Sequence, residues 1–177
     1  VNSISDSKEV LNPDSIGRVV DKIIDAKKVL IIGMGASGSI ATDLYHKLLK
    51  LRINAVCSND AHMINLLSTN LDPEDLLIVI SHSGESREVL DALALAKDQG
   101  CQVCAVTSYE KSTLANRADF LICSSSLETK FRSDAMTSRV IQVMIIDILY
   151  VCIIVKKGES ILPQIHKSRL AVAKNKV

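Results

Sequence analysis

The residues able to do chemistry in this chain cluster in two short runs, Gly33-Met34-Gly35-Ala36-Ser37-Gly38-Ser39 and Ser81-His82-Ser83-Gly84-Glu85-Ser86. Each run lies between an apolar stretch of strand character and an amphipathic helical pattern. A helix that begins just after such a turn presents unpaired N–H groups and about half a positive charge, so a pair of them suits a phosphate dianion. Glycine at 33, 35, 38 and 84 lets the backbone come close to a ligand, and the hydroxyls of Ser37, Ser39, Ser81, Ser83 and Ser86 add donors. Serine at such positions also caps helices, but five hydroxyls exceed what two caps use. His82 sits inside the second run and either contacts the anion or points away from it.

Other chemistries fit these residues less well. Gly33-x-Gly35-x-x-Gly38 satisfies the dinucleotide fingerprint, with Asp60 near the place of a ribose-binding acid. That acid falls a few residues late, and the serines of 81–86 would be superfluous for a pyrophosphate held on one helix. A nucleophile elbow needs Gly-x-Ser-x-Gly, and Gly35-Ala36-Ser37-Gly38-Ser39 puts serine in the last place. Cys101-x-x-Cys104 has no second ligand pair, and residues three apart on a strand point to opposite faces, so it reads as packing rather than as a metal or redox site.

The elements that must position these runs follow from periodicity. Asn12-Pro13-Asp14 starts a helix over about 13–26, with Ile16, Val19, Val20, Ile23 and Ile24 at helical spacing. Apolar runs at 29–32, 53–57, 76–80, 103–106 and 120–123 read as strands. Between them lie helical patterns: one with Ile40, Leu44 and Leu48, one capped by Ser58-Asn59-Asp60, one stopped by Gly100 and a single turn at Leu114 and Ala115. Strands alternating with helices describe parallel βαβ units. The expected fold is a three-layer α/β/α sandwich on a five-stranded parallel sheet of flavodoxin-like order 2-1-3-4-5. In that order ligands bind between the carboxyl ends of the first and third strands, where both serine runs begin.

Val140 to Val155 is nearly all apolar, broken by Gln142 and Asp147. It is short for a membrane span and reads as a helix packing on the sheet with one face and on a partner subunit with the other. At 177 residues and 47% hydrophobic content, one domain over 13–177 behind a linker-like 1–12 is expected. With 21 Lys+Arg against 20 Asp+Glu there is no basic surplus for a nucleic-acid backbone or a membrane surface. Five scattered cysteines and the lack of a signal pattern suggest the reducing cytoplasm. The start at Val1 suggests an excised part of a longer protein.

From Val29 to about Lys157 the chain resembles the SIS (sugar isomerase) domain. Ile80-Ser-His-Ser-Gly-Glu-Ser86 and Glu128-Thr-Lys-Phe-Arg-Ser-Asp-Ala-Met-Thr-Ser-Arg139 look like the effector domain of RpiR-type transcriptional regulators, in which a helix-turn-helix domain precedes the SIS domain. The resemblance implies a phosphosugar ligand, a homodimer or tetramer through the 135–157 helix, and DNA contact only through a domain outside this chain. It places the phosphate on Ser37, Ser39, Ser81, Ser83 and Ser86 with Gly35, Gly38 and Gly84, with Thr107 lining the same pocket. Asp60, His62 and Glu128 would reach the sugar hydroxyls. It calls for no cofactor, no metal and no catalytic residue. The alternative is a sugar-phosphate isomerase, for which Glu128 and His62 would supply the acid and base.

Overall fold

The structure, a computed structural model, describes residues 12–124 and 134–173, with the backbone alone for 134–138. Its elements are α1 (Pro13–Asp25), β1 (Val29–Gly33), α2 (Ala36–Lys50), β2 (Ala55–Ser58), α3 (Ala61–Ser68), β3 (Leu76–Ile80), α4 (Arg87–Asp98), β4 (Gln102–Thr107), α5 (Thr113–Arg117), β5 (Phe120–Cys123), α6 (Asp134–Lys157), a 3-10 turn (Gly158–Ile161) and α7 (Leu162–Ala173).

Local signals set the helix ends. Asn12 caps α1, its Oδ1 accepting from the N–H groups of Asp14 (2.9 Å) and Ser15 (3.4 Å), with Pro13 in the first turn where no N–H is needed. Asp60 caps α3 by accepting from Met63 N–H at 2.8 Å. Gly100, at φ +74°, follows the end of α4. At the end of α2 the left-handed position falls to Arg52 (φ +56°), with Ile53 N–H donating back to Leu48 O at 3.1 Å.

All strand pairs are parallel, in the order β2-β1-β3-β4-β5. Every residue of β1 and β3 is buried, as the unbroken apolar runs require of strands covered on both faces. Side-chain alternation divides the core in two. Val29, Ile31, Leu76, Ile78, Ile80, Cys104 and Val106 pack with α1, α2 and α6. Leu30, Ile32, Leu77, Val79, Val103 and Ala105 pack with α3, α4 and α5. Cys101 and Cys104 fall in different halves of this core, and burial pushes their thiols up to about 11 and about 12.

α6 buries Ile141, Ile145, Ile146, Leu149 and Ile153 but leaves Val140, Val151 and Val155 exposed. Lys47 ties α2 to it, reaching Asp43 at 2.5 Å and Asp147 at 3.1 Å. The structure adds the 3-10 turn and α7 after it. α7 has no buried residue, and without an apolar stripe the sequence gives it little signal; Ser168 Oγ donating to Lys50 O at 3.4 Å tethers it.

Replacing Arg52 by Gly, which adopts a positive φ without strain, should raise stability by about 0.5–1 kcal/mol in urea unfolding. A loss of stability would show that the Arg52 side chain matters more than its backbone. In the native protein at pH 8, iodoacetamide should label the part-exposed Cys57 and Cys152 well before Cys101 and Cys104, because only the thiolate reacts and the two buried thiols stay protonated.

Candidate functional site

Gly33 at the end of β1 pairs with Ile80 at the end of β3, so the two serine-bearing loops leave the sheet side by side at the same level. Adjacent strands are about 4.8 Å apart, which puts both loops within reach of one small anion. β2 lies on one side of β1 and β3 on the other, so this is the point where strand order reverses.

The first loop turns tightly into α2. A Cβ on Gly33 would lie 2.7 Å from Ser37 O and 2.8 Å from Ser37 C, so only glycine lets the strand end approach the helix start this closely. Gly35 is the residue before α2 and offers no side chain as a cap. Ser37 is buried to 9% exposure inside the first turn and Ser39 is exposed. None of the described hydrogen bonds uses the side chains of Ser37, Ser39 or Ser86. Ser86 occupies the capping position of α4 without making the capping bond. The first turn of α2 contains no acidic residue to repel an anion.

The second loop is pinned from below and from one side. Ser81 is buried, its N–H donating to Val106 O at 3.0 Å and its Oγ accepting from Gly84 N–H at 3.1 Å. Ser83 Oγ accepts from Glu85 N–H at 3.2 Å. Each hydroxyl used this way as an acceptor keeps its own proton to donate. Gly84 stands at φ +68°, and a Cβ there would lie 2.6 Å from Ser112 Cβ and 3.1 Å from Thr107 Oγ1. The start of α5 clamps the loop: Leu114 N–H donates to Gly84 O at 3.1 Å, and Thr113 N–H donates to Glu85 Oε1 at 2.7 Å. That backbone bond holds the Glu85 carboxyl below the usual carboxylate range.

The remaining expected site residues divide. Thr107 is fully buried, and its hydroxyl donates to His82 O at 3.0 Å, so it shapes the loop from beneath. Asp60 and His62 are exposed at the start of α3, beyond β2, and one Asp60 oxygen is committed to the helix cap. Glu128 lies outside the described residues. His82 turns toward β4, its Nδ1 2.9 Å from Ser108 Oγ.

Sequence reasoning missed Asn59, whose Cβ would lie 3.1 Å from a Cβ on Gly38, beside the first turn of α2. It also missed Ser112 and Ser124, although Ser124 follows a strand end as the other site residues do. Cavities of about 430 Å³ lie along α1 and α6.

Fold and site thus define an α/β domain with two hydroxyl-bearing loops side by side at the switch point of its sheet. The SIS domain model matches residues 22–152, and the chain belongs to the SIS domain family. An uncharacterized HTH-type transcriptional regulator of Thermotoga maritima is 38% identical over 176 residues, covering 99% of this chain and 62% of that relative. The chain thus spans less than two thirds of the regulator's length. The solved sugar isomerase domain of an RpiR transcription factor from Sphaerobacter thermophilus is 26% identical with TM-score 0.84, covering 95% of this chain and 94% of that one. The Vibrio vulnificus NanR protein, complexed with ManNAc-6P, shares the fold at TM-score 0.89 and 21% identity, over 98% of this chain and 65% of that one.

Gly84→Ala combines an unfavourable φ with a clash against Ser112 and should cost about 2 kcal/mol or more of stability in chemical unfolding. Wild-type stability in this variant would mean that the loop lacks the packed arrangement described.

Proposed function

We propose that this domain is the phosphosugar-binding effector module of an RpiR-type transcriptional regulator of sugar metabolism. The observation that carries the reading is the pairing of Gly33 with Ile80, which brings the two serine-bearing loops out of the sheet side by side. Ser37, Ser39, Ser81, Ser83 and Ser86 hold the phosphate, with Gly35, Gly38 and Gly84 admitting it. Its charge is met by helix ends and neutral donors. The Thermotoga maritima relative is named as a regulator, and the distantly similar NanR was solved with a phosphorylated N-acetylhexosamine. The NanR complex supports a sugar phosphate as ligand, and the regulator name of the relative supports DNA contact through sequence outside this chain. Among the described residues no helix is long and apolar enough to cross a membrane, and the regulator reading puts the protein in the cytoplasm.

A sensor works when its ligand favours one arrangement over another by several kcal/mol. The partner arrangement we propose is a second copy of this chain on α6. Val140, Val143, Val151 and Val155 are 57%, 38%, 54% and 73% exposed there. Beside Val151, Ile148 and Cys152 open a cavity of about 430 Å³ shared with α1. Such an apolar stripe on a helix is the usual material of an isologous interface.

Calorimetric titration with hexose and N-acetylhexosamine 6-phosphates, inorganic phosphate and the unphosphorylated sugars tests the ligand, alongside an aldose–ketose exchange assay. Sugar phosphates should bind without exchange, and the unphosphorylated sugars should not bind. Ser37→Ala and Ser83→Ala should each weaken binding about tenfold, the loss of one hydrogen bond to a charged group. Exchange would assign a sugar-phosphate isomerase instead, and no binding at all would leave an interaction module. For the partner, light scattering should give a dimer or larger species for the wild type and a smaller one for Val151→Asp.

A further inference from the structure

His82 is held on both its backbone and its ring by residues at and just after the end of β4. Its carbonyl accepts from Thr107 Oγ1 at 3.0 Å and from Ser108 N–H at 3.1 Å. Its ring Nδ1 lies 2.9 Å from Ser108 Oγ, which lies 3.0 Å from Ser124 Oγ. Ser124 is 1% exposed and its N–H donates to Thr107 O at 2.8 Å, so the far end of this chain of hydroxyls is anchored in the sheet. A histidine serving only as a surface residue needs none of these ties.

The strand order fixes what the ring faces. The phosphate cradle lies between the loops after β1 and β3, whereas Ser108 follows β4 and Ser124 follows β5, on the other side of β3. The imidazole is therefore turned away from the β1 loop, over the next strand, a step of about 4.8 Å. Tyr109 stands there with its ring edge-on to the imidazole, centroids 5.5 Å apart at 62°, and it is 42% exposed. Among the described residues Nε2 of His82 has no hydrogen-bond partner. The two hydroxyls in series complement either neutral tautomer, since each donates or accepts. What they fix is the ring plane and the direction of Nε2.

Resting on the phosphosugar reading, we infer that His82 and Tyr109 form the sugar-side wall of the site. Nε2 of His82 contacts a sugar oxygen rather than the phosphate, and Ser108 and Ser124 are the positioning residues that aim it. The phosphate locates the ligand, and this wall selects which sugar carries it. A cyclic sugar presents both an apolar C–H face and hydroxyls, which an aromatic ring beside a single aimed nitrogen matches.

The test compares affinity for the tightest-binding hexose or N-acetylhexosamine 6-phosphate of the panel with affinity for inorganic phosphate. His82→Asn keeps a donor near the Nδ1 position and removes Nε2. It should lose about tenfold for the sugar phosphate while inorganic phosphate binding stays within about twofold. Ser108→Ala should show the same split at roughly threefold and Ser108→Thr should restore it, while Ser124→Ala should change the ring-nitrogen shifts of His82 in NMR. Unchanged sugar-phosphate affinity in His82→Asn overturns the inference and leaves the phosphosugar reading standing. A parallel fall for inorganic phosphate in both His82→Asn and Ser108→Ala also overturns it, placing His82 on the phosphate. If the wild type binds no member of the panel, the phosphosugar reading falls and takes this inference with it.

Discussion

Gly33 and Ile80 are neighbours in one hydrogen-bonded ladder, and the rest of the site depends on that pairing. Because the order runs outward from β1 to β2 on one side and from β3 to β4 on the other, the chain leaves these two strands toward opposite layers, α2 on one face and α4 on the other. The two serine-bearing loops therefore leave the sheet side by side while the helices that follow them go to opposite faces. A different order of the same strands would separate the loops by whole strand spacings and leave each as an ordinary turn.

The two loops carry neutral hydroxyls held by backbone geometry. Gly33 brings the strand end against Ser37, and Gly84 lies against Ser112 and Thr107 where no Cβ fits. α5, only five residues long, clamps the second loop through Leu114 and Thr113. The second loop is thus held in place by the protein itself. Hydroxyls that could satisfy helix ends are left out of that role at Ser37 and Ser86.

α6 covers one face of the sheet beside α1 and α2. It packs on α1, α2 and the sheet with one side, and its valines remain exposed on another. A helix that is apolar nearly all round is costly on a solvated surface and natural at an interface.

The sequence by itself determined the parallel α/β character, the caps at Asn12 and Asp60, and the separation of Cys101 from Cys104 across the sheet, while the strand order was an expectation from the fold type that the structure bears out. The first three follow from periodicity or from interactions within a few residues, and such signals survive in a linear reading. The sequence also singled out the two loops. Whether their serines cap helices was open, and tertiary structure decided it, because the capping positions are filled by Gly35 and by a Ser86 whose side chain makes no cap bond. The direction of His82 was likewise open. It is set by Ser108, 26 residues away, and through it by Ser124. Those partners meet only because β3, β4 and β5 lie side by side, and a contact produced by strand packing leaves no periodic trace in the chain that makes it.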